Sequence, residues 1–236
     1  FPSIDALTGC QLDVNGINVK VGEKIASEPH CYIYQALDSH GSTVALKAFK
    51  ANDEASLQKS IQDYDYQSKA SSCPNIVSVI TQSIDKSNLI SITLLEFCEN
   101  NLSNYIKAHS ETGLKIQQII EIFQSVANAV HHLHSQQPPI IHRNIKIENI
   151  LYKHGSWKLG GFGSSTTTTY RNFDGDEVRN TIQKDIARSV SPQIRAPELL
   201  DLTKKEPIYY KVDVWQLGCF LYYLCTFQQP FQDLQH

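Results

Sequence analysis

Two short segments in the second half of the chain concentrate residue types that could do chemistry: a histidine, basic side chains and carboxamides in one, and a lysine with three glycines in the other. The segment 142–149 reads His-Arg-Asn-Ile-Lys-Ile-Glu-Asn, and the segment 158–163 reads Lys-Leu-Gly-Gly-Phe-Gly. The carboxamide of Asn144 cannot act as a base near neutral pH, and Gly161 has no side chain to bind a metal. At these two positions the sequence therefore predicts neither a base nor a metal ligand.

Composition indicates a globular protein and argues against several function classes. The 236 residues fit one large domain, and a hydrophobic fraction of 41% is too high for a disordered chain. A formal net charge of −3 argues against a nucleic-acid partner. The six cysteines form no CxxC pair, which favours reduced thiols in a cytoplasmic protein. No signal peptide is predicted, and the apolar stretch 212–227 is too short to span a bilayer.

The first part of the chain has the composition of β-strands. Strands are predicted at 17–25, 31–37, 43–50, 76–80 and 89–97. A helix is predicted over 52–69, with Asn52 or Asp53 as its N-cap.

The second part of the chain is mostly helical. Helices are predicted over 102–109, 116–134, 177–190 and 212–226, and short strands at 150–153 and 157–159. The apolar stripe of the second of these helices comprises Ile116, Ile119, Ile120, Phe123, Val126, Val130 and Leu133. That of the third comprises Val178, Ile182, Ile186 and Val190. The fourth is apolar nearly all round, which is typical of a buried central helix.

Strands followed by helices predict an α+β fold with two lobes. We expect a β-rich N-lobe at about 1–98 and a helical C-lobe at about 99–236, within a single domain that spans residues 1–236.

Several ordered motifs reveal a family resemblance that spans nearly the whole chain. The segment 142–149 resembles the catalytic loop of the eukaryotic protein kinases, and 160–163 resembles their Asp-Phe-Gly element. The resemblance implies that Asn144 replaces the aspartate that takes the substrate hydroxyl proton, and that Gly161 replaces the aspartate that holds Mg²⁺, so both catalytic carboxylates would be missing. Within that family the chain resembles the Numb-associated kinases, and among them the cyclin-G-associated kinase. This finer resemblance is carried by 138–143, 195–202, 213–221 and the predicted helix 177–190. It implies a two-lobed protein-kinase-like fold.

The resemblance assigns nucleotide-binding roles to further residues. Lys47, which follows Val-Ala-Leu at 44–46, would grip the α- and β-phosphates of ATP, although a lysine on a strand can also simply face solvent. Asp63 would replace the glutamate that pairs with this lysine, with a side chain one methylene shorter. The other vestigial positions would be Glu96 and Cys98 in the hinge, and Lys146 and Asn149 in the catalytic loop.

The chain departs from the family in two more places. The segment 25–31 stands where a glycine-rich phosphate loop is expected, but it has no glycine, Pro29 offers no N–H group and Glu28 adds a negative charge. Family kinases continue with more helices, so the resemblance implies a C-lobe truncated after the central helix. These departures imply that no cofactor is required, that ATP binds weakly or not at all, and that Mg²⁺ has no proper site.

Three functions remain open at this point. The leading one is a pseudokinase that acts as a protein-interaction or regulatory module. For this function the resemblance implies clathrin-coat or adaptor partners in the cytoplasm, in part on vesicles. The second is a Ser/Thr protein kinase with residual ATP binding and phosphotransfer through Lys47, Lys146 and Asn149. The third is an inert, truncated paralogue that does not fold stably.

Two other clusters have simpler interpretations. His131, His132 and His134 could suggest a metal site, but they do not share one helix face, so a solvated or packed helix end is favoured. The threonines at 166–169 could be phosphorylation sites, but a polar loop is favoured.

Overall fold

The computed structural model describes residues 3–171 and 173–231, and it divides the chain into two compact units. Unit 1 comprises residues 1–72 and 77–99, and unit 2 comprises residues 73–76 and 100–236. The chain end, on which the expected truncation of the C-lobe depends, lies outside the described residues.

Unit 1 is built on a six-stranded antiparallel sheet. Its strands are β1 (Gln11–Val14), β2 (Ile17–Glu28), β3 (Cys31–Asp38), β4 (Thr43–Lys50), β5 (Val79–Asp85) and β6 (Ile90–Glu96). They lie in the order β1-β2-β3-β4-β6-β5. Alternate residues along the strands face one core, as a period of two requires: Val19, Val21, Tyr34, Ala36, Leu46, Ala48, Ile92 and Leu94 are all buried.

One helix, α1 (Glu54–Ala70), joins β4 to β5. Its N-cap is Asp53, whose Oδ1 accepts a hydrogen bond from the Ser56 backbone N–H at 2.7 Å. The strand predicted at 76–80 is wrong in its bounds, because Ile76 pairs with Leu159 in unit 2 and β5 begins only at Val79. Strand β1 was not predicted, since its four residues are too few for alternation to be recognised.

Unit 2 is mostly helical. Its helices are α2 (Leu102–Ala108), α3 (Ile116–His134), α4 (Asp176–Ser189), α5 (Pro197–Leu200) and α6 (Lys211–Thr226). Three short antiparallel strands, β7 (Asn100–Asn101), β8 (Ile150–Lys153) and β9 (Ser156–Leu159), form a second sheet in the order β7-β8-β9. A strand-rich unit followed by a helical one confirms the α+β prediction.

The buried face of α3 differs from the predicted stripe. Ile116 and Ile120 are 70% and 48% exposed, whereas Ile122 and Ala129 are buried. The reason is that α3 contacts both β9 and α6, and these contacts select a face rotated from the one that the predicted stripe defines.

Helices α4 and α6 also each expose apolar residues that the sequence predicted to be buried. In α4, Val178 is 45% exposed, whereas Ile182, Ile186 and the following Val190 pack into the unit 2 core. Helix α6 is not buried all round, since one side exposes the apolar residues Val214 and Tyr222. No helix within 3–171 and 173–231 has the length and hydropathy needed to cross a bilayer.

Candidate functional site

The loop 142–149 is held in place by two buried polar residues of α6. Asp213, which is fully buried, accepts hydrogen bonds from the backbone N–H groups of His142 and Arg143, each at 2.8 Å. Gln216, also fully buried, accepts from the Ile145 N–H and donates to the Arg143 carbonyl, each at 3.0 Å. These bonds stabilise the left-handed conformation of Arg143, whose φ is +64°. The loop is therefore rigidly positioned by the central helix.

His142 ties this loop to the Gly160–Gly161 segment. Its Nε2 lies 3.0 Å from the Gly160 carbonyl oxygen, and its ring makes an edge contact with Phe162 at a centroid distance of 5.0 Å. Complete burial lowers the pKa of His142, and the charge of Asp213 only partly opposes that effect. His142 is thus a neutral structural residue that joins the two segments of the site.

Asn149 connects the two ends of the loop. Its Nδ2 donates to the Asn144 carbonyl at 2.8 Å, and its backbone carbonyl accepts from the Gly160 N–H at 2.8 Å. The Asn149 N–H in turn donates to the Lys146 carbonyl at 2.9 Å. The loop and the glycine segment are therefore bonded into one unit around the Asn149 side chain.

The Asn149 side chain fills the space into which residue 161 would project a side chain. A Cβ at Gly161 would lie 2.7 Å from Asn149 Nδ2, and closer still to its Cγ and Oδ1, whereas real Cβ atoms essentially never come within 3.0 Å. Gly161 also has φ of +76°, a conformation that favours glycine. Any side chain at 161, including an aspartate, would have to displace the Asn149 carboxamide.

Arg143 is bound to the helix α4. Its Nη1 donates to Asp185 Oδ2 at 2.6 Å, and its Nε donates to the Ser164 carbonyl at 2.7 Å. The arginine side chain is 8% exposed and that of Asp185 is 34% exposed. Burial first, and then the charge of Asp185, raise the pKa of Tyr170, whose hydroxyl bonds to the same carboxylate. The Arg143 guanidinium is thus already paired with a carboxylate of this chain.

The side chains of Asn144, Lys146 and Asn149 can bind a ligand, but none of the three is placed to act as a base. Asn144 and Asn149 offer carboxamides, which donate and accept hydrogen bonds but take no proton near neutral pH. Lys146 is half-buried, and its side chain makes no hydrogen bond or ion pair with another described residue, so its ammonium group is available to an anion. The arrangement suits weak anion binding and not proton abstraction.

The remaining predicted residues lie in unit 1. Lys47 is half-buried on β4, opposite Ile33 of β3 and Thr93 of β6, and it pairs with no carboxylate among the described residues. Asp63 instead accepts from Lys59, one turn earlier in α1, at 2.7 Å. Within this unit the structure therefore does not bring Lys47 and Asp63 together.

The segment 25–31 forms a tight hairpin between β2 and β3. Glu28 pairs with Cys31 across the turn, and His30 adopts φ of +60°. In the hinge segment, Glu96 accepts from the Ser78 N–H at 2.7 Å, and Cys98 is half-buried and forms no disulfide with another described cysteine. The Glu96 carboxylate therefore forms a hydrogen bond to the backbone just before strand β5.

The three histidines of α3 do not assemble a metal site. His134 Nε2 lies 2.8 Å from Asp213 Oδ2, and the part of the chain that the structure describes contains no group of three potential metal ligands. His134 therefore belongs to the hydrogen bonds that fix Asp213.

Sequence reasoning missed two residues that build this site. Gln216 had a detectable signal, because it is a polar residue in an otherwise apolar helix. Asp185 had none, since a carboxylate on an amphipathic helix normally faces solvent. Only the fold shows that it meets Arg143.

Comparison with known proteins places this site in its family. Residues 21–236 match the family model of the protein kinase domain, so the chain belongs to the protein kinase domain family. It is 33% identical over 233 residues to a "probable serine/threonine-protein kinase" of Dictyostelium discoideum. It is 31% identical over 237 residues to actin-regulating kinase 1 of Saccharomyces cerevisiae, and 38% identical over 141 residues to actin-regulating kinase PRK1 of the same yeast.

These relatives are longer proteins. The matched part covers 95% of this chain but only 21% of the Dictyostelium protein and 37% of actin-regulating kinase 1. For actin-regulating kinase PRK1 it covers 59% of this chain and 17% of the relative. The chain thus spans well under half the length of these relatives.

Proposed function

We propose that this chain is a catalytically impaired protein kinase homologue that acts as a protein-interaction or regulatory module. The observation that carries this proposal is the position of the Asn149 side chain, which occupies the place of a side chain at 161. Asn144 adds to it, because a carboxamide stands where the family has its base. Both catalytic carboxylates would be absent from such a site.

The magnitudes favour this proposal over residual activity. A positioned base contributes about 10²–10⁴-fold to rate, and one electrostatic stabiliser of the transition state about 10²–10³-fold. If these effects combine even in part, little turnover remains.

The alternative is a Ser/Thr protein kinase with residual phosphotransfer. It is supported by the kinase names of the relatives and by Lys47, Lys146 and Asn149, which remain in place. A radiolabelled-ATP assay on generic protein substrates decides between the two. We expect no turnover above background, and Mg²⁺-dependent turnover that Lys47→Ala abolishes would overturn the proposal. The third hypothesis, an unstable paralogue, predicts no cooperative unfolding transition, so a denaturation curve is recorded first.

We also propose that no cofactor is required and that ATP binds weakly, without Mg²⁺, if it binds. Asn149 offers one neutral ligand, whereas Mg²⁺ prefers carboxylates. The residues that would contact ATP are Lys47, Asp63, Glu96, Cys98, Lys146 and Asn149. A ligand at a hundredfold excess over its Kd stabilises a protein by about 2.7 kcal/mol. If ATP stabilises the protein by that amount in a thermal-shift assay and does so strictly in the presence of Mg²⁺, the proposal is contradicted.

We propose membership of the Numb-associated kinases, on the basis of segments 138–143, 195–202 and 213–221 and of helix α4. That placement favours clathrin-coat or adaptor proteins as partners in the cytoplasm, in part on vesicles. The names of the yeast relatives favour an actin-linked process instead. Binding to purified adaptor complexes and co-sedimentation with actin filaments distinguish the two. If the protein binds neither adaptor complexes nor actin filaments, both partner proposals are overturned.

A further inference from the structure

Unit 2 contains a cavity that shares no residue with the loop 142–149 or with the segment 160–163. Its volume is about 460 Å³, within the range of about 300–1,000 Å³ that is typical of ligand sites. One wall is the exposed side of α3, and the other is formed by α2 and the hairpin of β8 and β9.

The second wall of the cavity is aromatic and fixed. Trp157 makes edge and tilted contacts with Tyr105 and Tyr152, at centroid distances of 5.2 Å and 4.9 Å. The Tyr105 hydroxyl accepts a hydrogen bond from Gln118 Nε2 at 2.6 Å, which holds that ring in place. A rigid aromatic surface loses little conformational entropy when a ligand binds.

The α3 wall presents two carboxamides that have no partner among the described residues. Gln124 and Asn128 are exposed and lie one helical turn apart, and their side chains make no hydrogen bond with another described residue. Side chains at this spacing are about 5–6 Å apart, and an extended chain presents peptide groups on one edge about every 6.6 Å. Each carboxamide offers both a donor and an acceptor, as a peptide group requires. The two are therefore suited to bonding an extended main chain.

The charge of the lining selects the side chains of such an occupant. Among the described lining residues there is one carboxylate, Glu121, and no lysine, arginine or histidine. Glu121 accepts a hydrogen bond from Gln117 at 3.0 Å on its exposed helix face. Phosphates, nucleotides and acidic peptides would meet no cation here, whereas an arginine would meet Glu121 and the faces of aromatic rings.

We propose that this cavity, bounded by Glu121, Gln124 and Asn128 on one side and by Tyr105, Tyr152 and Trp157 on the other, binds an extended protein segment that carries an arginine or lysine. The main chain pairs with Gln124 and Asn128, and the cation lies between Glu121 and the aromatic rings. This inference rests on the proposed function in taking a protein as the occupant, and it names the surface and the chemistry of that partner.

The test uses a fluorescein-labelled degenerate nonapeptide library with arginine fixed at its centre, and a matched library with glutamate at that position. Fluorescence anisotropy with the full chain is expected to show saturable binding that is at least tenfold tighter for the arginine library. The double variant Gln124→Ala with Asn128→Ala should lose at least tenfold in affinity. Its melting temperature should not change, because both side chains are exposed and unbonded.

Two further variants make the test specific. Glu121→Gln should remove most of the preference for arginine over glutamate while leaving weak binding. The matched control Asn180→Ala with Gln183→Ala removes two exposed carboxamides from α4 and should change nothing. Equal binding of the two libraries, no saturable binding, or unchanged affinity in the Gln124 and Asn128 variant would each overturn the inference.

The same preparations are assayed for phosphotransfer, so that the two proposals fail separately. Kinase turnover together with selective peptide binding would overturn the proposed function and leave the peptide site standing. Absent turnover together with absent peptide binding would overturn the peptide site alone.

Discussion

Replacing Gly161 with alanine is expected to destabilise unit 2, because the new Cβ and the Asn149 side chain cannot occupy the same space. The Cβ would lie 2.7 Å from Asn149 Nδ2 and nearer to two further atoms of that carboxamide. The Asn149 side chain must therefore rotate away and release its 2.8 Å hydrogen bond to the Asn144 carbonyl.

The magnitude follows from two contributions. Alanine in the left-handed conformation costs about 1–2 kcal/mol, of which about 0.4–1 kcal/mol is offset by the reduced entropy of the unfolded chain. Loss of the Asn149 hydrogen bond costs about 0.5–1.5 kcal/mol more. Together they predict a loss of about 2 kcal/mol in the free energy of unfolding, or a fall of about 4–8 °C in Tm.

Urea denaturation of the unmodified protein and four variants separates these contributions. Gly155→Ala is the matched control for the backbone, because Gly155 has φ of +85° and a Cβ there meets no atom within 4 Å. It should cost only about 1 kcal/mol. In an Asn149→Ala background, Gly161→Ala should likewise cost about 1 kcal/mol, so the double-mutant cycle should show coupling of about 1 kcal/mol.

Two results would refute this account of Gly161. One is a cost for Gly161→Ala that is no greater than that for Gly155→Ala. The other is the same cost with and without Asn149. A functional consequence accompanies it: Gly161→Asp should not yield Mg²⁺-dependent ATP binding in a thermal-shift assay, because the new carboxylate and Asn149 compete for one position.

Three further predictions concern the packing and ionisation of unit 2. Ile186→Ala should cost about 2–5 kcal/mol in chemical denaturation because Ile186 is buried, whereas Val178→Ala should stay within about 0.5 kcal/mol because Val178 is exposed; equal costs would show that α4 is not docked by this face. Asp185→Asn should speed hydrogen exchange across 164–190 and lower the free energy of unfolding by about 1–2 kcal/mol, which is less than for a fully buried ion pair because the Asp185 carboxylate is one-third exposed. Glu177→Gln, which changes an exposed carboxylate of the same helix, is the control and should have no effect. Unchanged exchange in Asp185→Asn would mean that the ion pair does not hold the segment. The pKa of His142 is lowered in the folded state, so the unfolded chain binds the proton more readily. The free energy of unfolding should therefore fall as pH drops below about 6.5, by at most about 1.4 kcal/mol per pH unit. Plots of this free energy against pH should diverge below that pH for the unmodified protein and His142→Gln, and parallel plots would contradict the lowered pKa.

The sequence by itself determined the family and the fold class, and it predicted that the site lacks a base and a metal ligand. The loop 142–149 and the Gly161 segment are local motifs, so they can be recognised without a structure. The bounds of α3 and β8 were predicted correctly, because hydrophobic period and turn residues are also local properties. That Asn144 is not a base and that Gly161 binds no metal depends only on residue identity.

Tertiary structure alone decided which groups meet. The buried face of α3 includes Ile122 and leaves Ile116 exposed, because contacts with β9 and α6 select the face that packs. The pairing of Arg143 with Asp185, 42 residues later, has no local signal.

The same holds for the space beside Gly161, which the Asn149 side chain fills. Asn149 looks like a retained site residue in the sequence, yet its side chain occupies the space that residue 161 would need. The physical reason is that excluded volume and hydrogen bonds act between residues brought together by folding, whereas a sequence pattern reports only the preferences of neighbours along the chain.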